Sequence, residues 1–292
     1  MESTAIGKFV EQAVAFLLAN FRGLFDGMAA AILFLADGLD KGLGMIPFPV
    51  FVTVLAGLAL WRKGVAFAAF SIGAPALINY LGLWPQTMTT LALVIAATFV
   101  SLVLGVPLGI WSARNDRVEL VVRSMLDFMQ TMPAFVYLIP AAILFGLGKV
   151  PAIIATVIFA MPPAVRLTNL GVRQVKVELI EAGLAFGCTK WQLLAKVQLP
   201  NALPSIMAGV NQTIMMSLSM VVIASMIGAG GLGDYVLRGI QRLDVGVGFE
   251  GGLGVVLLAI ILDRITESFG KKPAFTIRRL MSAKPTSTKA TA

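Results

Sequence analysis

Long apolar runs without a charged residue dominate the chain. Seven such runs lie at 46–61, 65–84, 87–112, 131–148, 150–165, 203–227 and 252–262. Most are long enough to predict membrane spans. Backbone polar groups need internal partners in lipid, so the spans are expected to be helices. The last run is short, and its helix is expected to begin near Val245. The pattern predicts an all-α polytopic membrane protein with about seven transmembrane helices.

The first 44 residues lack a comparable run. Five acidic and three basic residues interrupt them, and the longest clean apolar stretch covers only 28–36. Apolar residues recur there at helical spacing, with charges on the remaining face. This pattern indicates an amphipathic helix in the membrane interface, outside the cell. An additional span at 13–39 is the alternative.

The positions of the basic residues predict how the spans are oriented. Loops and tail on one side of the seven runs carry 17 Lys and Arg residues, and the other side carries six. Short loops rich in Lys and Arg stay in the cytoplasm. We therefore expect the C-terminus and the long loop 166–202 inside and the N-terminus outside. The net charge of +8 reflects this topology and does not indicate nucleic-acid binding.

The composition excludes most familiar catalytic chemistry. Charged residues make up 13% of the chain, against roughly 25% in soluble domains. There is no histidine, which excludes a Ser-His-Asp triad and an H-E-x-x-H zinc site. Cys188 is the single cysteine, so no internal disulfide forms. The phosphate-binding pattern G-x-x-x-x-G-K-[ST] is also missing. We expect neither enzymatic activity nor a metal site in this chain.

The loop after the fifth run contains the most specific motif. Glu181-Ala182-Gly183 is followed after three residues by Gly187, and nine residues later by Val197-Gln198-Leu199-Pro200. Glycine takes a left-handed turn at little cost, which predicts a short helix at 178–186 that ends at Gly187. A second short helix is expected at 190–197, ending before Pro200 because proline disfavours helix in the preceding residue.

This spacing resembles that of the permease subunits of type I, binding-protein-dependent ATP-binding-cassette (ABC) importers. Their motif is E-A-A, three residues, Gly, nine residues and I-x-L-P, from which Gly183 and Val197 depart. In that family the two short helices dock into a cleft of a separate ATPase subunit and transmit its closure. The resemblance implies that the ATPase-coupling residues here are Glu181, Ala182, Gly183, Gly187, Leu199 and Pro200.

A wider resemblance covers residues 87–267. The stretches 126–140, 209–216 and 226–233 look like the glycine betaine/proline betaine permease branch. This implies a type I permease core at 87–267 that imports quaternary ammonium solutes such as glycine betaine, proline betaine or choline. It also implies a homodimer, an external substrate-binding protein and a partner ATPase that holds ATP and Mg, with no cofactor in this chain.

Two further segments flank the predicted core. Residues 45–86 are expected to form two peripheral transmembrane helices. The stretch 268–292, rich in Lys, Ser, Thr and Pro, reads as a disordered cytoplasmic tail that contacts membrane lipid.

Polar and soft side chains indicate where a solute would pass. In the sixth run, residues at steps of three or four form one stripe: Ser205, Gly209, Gln212, Met216 and Ser219. Polar side chains within membrane helices face protein or water, so this stripe predicts a translocation path. Hydrogen bonding between helices is the alternative. Phe135 and Tyr137 are candidate cation–π contacts for a quaternary ammonium cargo, with ordinary packing as the alternative.

Two other functions stay open at this stage. An ion-coupled secondary transporter usually carries ionisable residues within its spans. The seven runs contain none, although Asp127 and Asp263 lie at their edges. An ABC permease for another small polar solute is the second alternative.

Overall fold

The computed structural model describes residues 5–269, including the side chains of 12, 15, 16 and 18–269. Residues 1–4 and 270–292, and with them most of the predicted tail, lie outside the described residues. Every regular element in the described range is helical. The helices are α1 (Ala5–Gly44), α2 (Phe48–Lys63), α3 (Val65–Tyr80), α4 (Trp84–Arg114), α5 (Asp116–Thr131), α6 (Ala134–Phe145), α7 (Lys149–Arg173), α8 (Val177–Ala185), α9 (Lys190–Leu193), α10 (Leu199–Ala224), α11 (Leu232–Arg242) and α12 (Val245–Phe269).

Length and composition identify the helices that can cross a membrane. Five described helices qualify: Leu18–Gly44, Trp84–Arg114, Lys149–Arg173, Lys190–Ile227 and Val245–Phe269. The bent pair α5 and α6 makes six if it is one span. Helices α2 and α3 have 16 residues each, about 24 Å at 1.5 Å per residue, and are shorter than the roughly 30 Å hydrocarbon core. An all-helical polytopic membrane protein is confirmed. The strict count gives five or six spans, and counting α2 and α3 as well gives seven or eight, which agrees with about seven.

Helix α1 differs from the amphipathic interfacial helix that the sequence predicts for residues 1–44. Its backbone bends at Phe21, where φ is −120° and ψ is 18°, and Leu18–Gly44 is long and apolar enough to cross a membrane. Two of its acidic residues, Asp37 and Asp40, pair with Lys149 of α7. Two of the charges that argued against a span are therefore partnered, and this helix fits the alternative of an additional span.

The predicted fourth span, 131–148, contains one short helix, α6, and a break at its start separates it from α5. Helix α5 ends at Thr131 and α6 begins at Ala134, at 99° to α5. Met132 precedes Pro133 and is extended, with φ −73° and ψ 136°, because proline disfavours helical backbone in the residue before it. The break turns α5 away from α6, which is only 12 residues long.

Three other predicted boundaries were too tight. Helix α7 continues to Arg173 and α10 begins at Leu199, so much of the predicted loop 166–202 is helical. Helix α12 begins at Val245, as expected, but runs on to Phe269. Charged side chains near the C-terminal ends of α7 and α12 cut the charge-free runs short there, whereas the missed start of α10 carries no charge.

Glycines bring α7 into close contact with the helices on both sides. A Cβ added to Gly109 of α4 would lie 2.7 Å from the Cβ of Thr168 and 2.7 Å from the carbonyl oxygen of Val165. A Cβ on Gly171 of α7 would lie 2.8 Å from the Cβ of Ser205 on α10. Small residues of this kind let membrane helices approach closely. Helices α4, α7 and α10 thus form the centre of the fold and fix the two ends of the long loop.

Candidate functional site

The turn after α8 closes in a specific hydrogen-bonded motif. Gly187 has a φ of +77°, the left-handed region that glycine enters at least cost. The Cys188 N–H donates to the Gly183 carbonyl at 3.0 Å, and the Gly187 N–H donates to the Leu184 carbonyl at 2.9 Å. These two bonds make a Schellman cap, which satisfies the last carbonyls of the helix. The predicted first helix and its glycine break are present.

A capping box starts α9 immediately afterwards. The Gln192 N–H donates to the Thr189 hydroxyl oxygen at 3.3 Å, and the Thr189 N–H donates to the Gln192 side-chain oxygen at 2.9 Å. Both bonds satisfy amide groups that would otherwise be unpaired at the start of a helix. We call residues 177–193, which comprise α8, the Gly187 turn and α9, the coupling unit.

The second short helix does not stop before Pro200, so that prediction was wrong. A π-helical turn, Leu194–Gln198, joins α9 to α10 without a break in helical backbone. Pro200 lies in the first turn of α10, where a missing N–H costs little. The wider π turn accommodates Pro200 without interrupting the helical backbone. The coupling unit is therefore continuous with a long helix of the core.

Two contacts fix the coupling unit internally and to the core. A Cβ on Gly183 of α8 would lie 2.7 Å from the Leu193 Cδ1 of α9, which shows how closely the two short helices approach. Leu194 is buried in one cluster with Val172 of α7 and Ala202 of α10. Leu194, the residue that directly follows the unit, therefore attaches it to the ends of two central helices.

The outer surface of the coupling unit is apolar and exposed. Phe186 is 90% exposed, Trp191 is 72% exposed, and Leu184 is also exposed. The Arg114 guanidinium at the end of α4 lies over the Trp191 ring, 5.1 Å from its centroid. Large apolar side chains grouped at one surface are typical of a protein interface.

The structure brings the predicted coupling residues together in two groups. Glu181, Ala182 and Gly187 are exposed on the coupling unit. Gly183 is buried against α9, and Leu199 packs with the Leu194 cluster. Pro200 is exposed and Leu199 is only partly buried, so Gly183 is the one predicted coupling residue that is buried.

The predicted path residues lie on α10, but their surroundings differ. Gln212 and Ser219 are exposed and Met216 is partly buried, which leaves an accessible stripe. The Ser219 hydroxyl donates to the Met215 carbonyl of its own helix at 3.1 Å. Ser205 packs against Gly171 of α7 and belongs to the helix contact.

Residues 5–269 contain no group of three or more His, Cys, Asp or Glu side chains that could hold a metal ion. Residues 105–273 match the family described as "binding-protein-dependent transport system inner membrane component". The chain belongs to this family. It is a multi-pass component of the inner membrane, a permease and not the catalytic subunit of such a system.

Two curated relatives match most of this permease. One is the glycine betaine/proline betaine transport system permease protein ProW of Escherichia coli (strain K12), 48% identical over 91% of this chain and 75% of the relative. The other is the glycine betaine transport system permease protein OpuAB of Bacillus subtilis (strain 168), 46% identical over 91% of this chain and 95% of the relative.

A solved structure shares the fold at lower identity. An inward-facing conformation of the MetNI methionine ABC transporter superposes with a TM-score of 0.58 and is 23% identical. The match covers 64% of this permease and 94% of that chain. It supports the type I importer fold that the sequence motif implied.

The two predicted aromatic contacts have different environments in the permease. Phe135 is exposed at the start of α6. Tyr137 is buried, and its hydroxyl donates to the Met129 carbonyl at the end of α5. Tyr137 thus secures the bend between α5 and α6, and only Phe135 is open to a solute here.

Sequence reasoning missed one polar pair inside the permease. The Asn211 side-chain amide of α10 donates to the Asp263 carboxylate of α12 at 3.0 Å. Asp263 stood at the edge of a charge-free run, yet α12 continues six residues beyond it. An acidic residue in a long apolar helix was the signal that could have found this pair.

Proposed function

We propose that this chain is the permease subunit of an ATP-driven importer for quaternary ammonium solutes, with glycine betaine, proline betaine and choline as the candidate cargoes. The coupling unit is the observation that carries the proposal, since it exposes Phe186 and Trp191 while Leu194 ties it to the core. The cargo class follows from the similarity to glycine betaine and proline betaine permeases that are 46–48% identical to this chain.

Separate ATPase subunits would supply the energy in this mechanism. They bind ATP and Mg, close on each other, and push the coupling unit through a contact with Glu181, Ala182 and Gly187. Because Leu194 packs on Val172 and Ala202, the push displaces the ends of α7 and α10 together. The path along the exposed face of α10 then opens alternately to each side of the membrane.

The assembly would contain two copies of the chain, two ATPase subunits and an external substrate-binding protein. Residues 87–267 form the core of each copy, with α2 and α3 at its periphery and the C-terminal tail in the cytoplasm. The N-terminus lies outside if residues 1–44 stay in the interface, and inside if Leu18–Gly44 crosses the membrane. Protease access to an N-terminal tag in right-side-out vesicles distinguishes the two topologies.

Solute uptake with a coupling-unit variant tests the function. Cells that lack this chain would be given the native sequence, Gly187→Trp or Gly82→Trp, and uptake of labelled glycine betaine and choline would be measured. Both glycines have positive φ, +77° and +72°, and neither has an atom within 4 Å of an added Cβ. Each substitution therefore carries a similar backbone cost of about 1–2 kcal/mol.

The expected result is uptake by the native chain and Gly82→Trp, with at least tenfold loss in Gly187→Trp at equal membrane abundance. Equal rescue by both variants would refute the role of the coupling unit. Failure of the native chain to restore uptake of either solute would refute the cargo class.

A second candidate function, an ion-coupled transporter, is favoured by one observation. Asp263 lies inside α12 and accepts a hydrogen bond from Asn211, so the described spans do contain an ionisable residue. Uptake that persists in ATP-depleted cells under an imposed proton gradient would support this function. We expect instead that solute uptake stops when ATP is exhausted, even under an imposed proton gradient.

A further inference from the structure

A cavity with a mainly apolar lining and a few polar side chains lies between α10 and α12, on the side that carries the accessible stripe. Its volume is about 500 Å³, and the side chains that shape it are Met207, Asn211, Gln212, Met215, Thr266 and Glu267. This volume lies within the range of small-molecule sites, roughly 300–1,000 Å³. Gln212 belongs to both the cavity and the predicted path, so the two are continuous.

The wall formed by α10 contains a buried acceptor that the protein does not use. Asn211 donates through its amide nitrogen to Asp263, while its side-chain oxygen is buried without a hydrogen-bond partner. Polar groups within spans are costly and tend to mark solute or ion pathways. Asn211 is thus held in place by Asp263, beside an open volume.

Charges of both signs lie at the end of the cavity near α2. The Glu267 carboxylate is 2.7 Å from the Lys63 Nζ and 3.6 Å from an Arg264 guanidinium nitrogen. Both Lys63 and Glu267 are mostly shielded, with 24% and 31% of their side chains exposed. Because the Glu267 carboxylate is paired with these cations, it does not leave an unbalanced negative charge at the cavity, which suits a solute with no net charge.

The apolar part of the wall suits methyl groups on nitrogen. A quaternary ammonium has no N–H to donate, so its methyl groups need soft, polarisable contacts. Met207 and Met215 provide such contacts on the same face of α10 as Asn211. The side-chain amide of Gln212 is available as a donor for a carboxylate.

We propose that the cavity between α10 and α12 is a transient site for a small zwitterion with a methylated ammonium group. This inference rests on the proposed function and adds a cargo contact within the permease itself. The methyl groups would contact the two methionines, and the solute carboxylate would accept from Gln212. This site is additional to the one on the external binding protein, and it selects among solutes while they cross the membrane.

Protection of an introduced cysteine tests occupancy of the cavity. Thr266→Cys is made in a Cys188→Ser chain, purified with its associated subunits, and labelled with a water-soluble maleimide. Ser124→Cys, on the exposed face of α5, is the matched control outside the cavity. Glycine betaine at ten times its dissociation constant should slow labelling of the Thr266→Cys thiol about tenfold, and leave the control unchanged. Sucrose at equal osmolality should protect neither position.

Unchanged labelling of Thr266→Cys over the full range of glycine betaine concentrations would overturn the site, even if the native chain restores uptake. Protection in cells where the native chain transports no betaine would instead separate a real site from a wrong transport assignment. The two failures are therefore distinguishable.

Uptake selectivity gives a second, independent readout. Gln212→Leu removes the amide but keeps the side-chain size, so uptake of glycine betaine should fall about tenfold relative to choline, which has no carboxylate. Choline uptake in the same cells controls for folding and abundance. An equal loss for both solutes would overturn the role of Gln212.

Discussion

The coupling unit and the start of α7 are joined to the rest of the permease in different ways. The coupling unit depends on the buried Leu194 cluster and on the hydrogen bonds within its own turns. No salt bridge links α8 or α9 to another helix in the described range, although Arg114 covers Trp191. Polar contacts connect separate helices elsewhere: Arg173 at the end of α7 pairs with Asp116 at 2.6 Å and Glu119 at 2.9 Å on α5, and a larger network lies at the start of α7.

The larger network surrounds Lys149, the first residue of α7. Its ammonium pairs with Asp37 at 2.8 Å and Asp40 at 2.7 Å, both on α1. Asp40 also accepts from the Thr89 hydroxyl of α4 at 3.0 Å. The Gly148 N–H donates to the Ile227 carbonyl at the end of α10 at 2.8 Å. Four helices are thus connected at this end.

This difference separates fixed from adaptable parts of the molecule. The Lys149 end has its polar groups satisfied by other helices of the same chain, which favours one arrangement of α1, α4, α7 and α10. The coupling unit instead keeps large apolar side chains exposed. A partner that covers Phe186 and Trp191 would stabilise the complex by burying apolar surface, at about 25 cal/mol per Å². Changes at the two ends should therefore affect different properties.

Loss of the central cation should have the largest effect on stability. Lys149→Met leaves Asp37 and Asp40 without their cation, and we expect about 2 kcal/mol of destabilisation, between the values for surface and buried pairs. Thermal unfolding of the purified complex measures this. Coupling, read as uptake per folded molecule, should change less than twofold.

The control removes the orphaned charges as well. In Lys149→Met combined with Asp37→Asn and Asp40→Asn, most of the lost stability should return, because no unpaired carboxylate remains. A triple variant no more stable than Lys149→Met would show that the ion pairs are not what holds α1 in place.

Spacing in the sequence anticipated the coupling unit because its motif is local. Glycine at 187 encodes a left-handed turn, and Thr189 with Gln192 encodes a capping box, so short-range chemistry specifies each feature. Pro200 misled for the same reason, because proline ends a helix only where an N–H is required. Here a π turn and a position in the first turn of α10 removed that requirement.

Features that depend on distant residues escaped the sequence. Asp37 and Lys149 are 112 residues apart, and the sequence around each residue contains no signal that predicts the pair. Asp263 likewise became part of a span only once α12 was seen to continue past it. A search for charge-free runs finds only helix segments that contain no charged residue. Charged residues that have partners within the helix bundle can be recognised only from the tertiary structure.

Removal of the α9 cap should affect coupling more than overall stability. Thr189→Ala eliminates the acceptor for the Gln192 N–H and should cost about 1 kcal/mol locally. Uptake should fall several-fold while the unfolding temperature of the complex stays within one or two degrees, a small shift on the usual scale. Hydrogen exchange at residues 189–193 should become faster. Thr189→Ser keeps the hydroxyl and should restore both uptake and protection; a shared loss in the two variants would contradict the capping role.

The smallest effect is expected where this chain departs from the usual motif. Gly183→Ala places a Cβ 2.7 Å from the Leu193 Cδ1, the mobile end of a flexible side chain, which can rotate away. Alanine also favours helix over glycine by up to about 1 kcal/mol, which offsets the crowding. Uptake should therefore stay within twofold of the native value. Gly171→Ala is the matched comparison, because its Cβ would meet the Ala202 carbonyl oxygen at 3.1 Å and the Ser205 Cβ at 2.8 Å, and helix backbone cannot rotate away. We expect that variant to lose about 1–3 kcal/mol of stability. Gly183→Ala could instead abolish uptake with unchanged stability. The space between Gly183 of α8 and Leu193 of α9 would then itself be needed for coupling, and the coupling unit would not act as a rigid body.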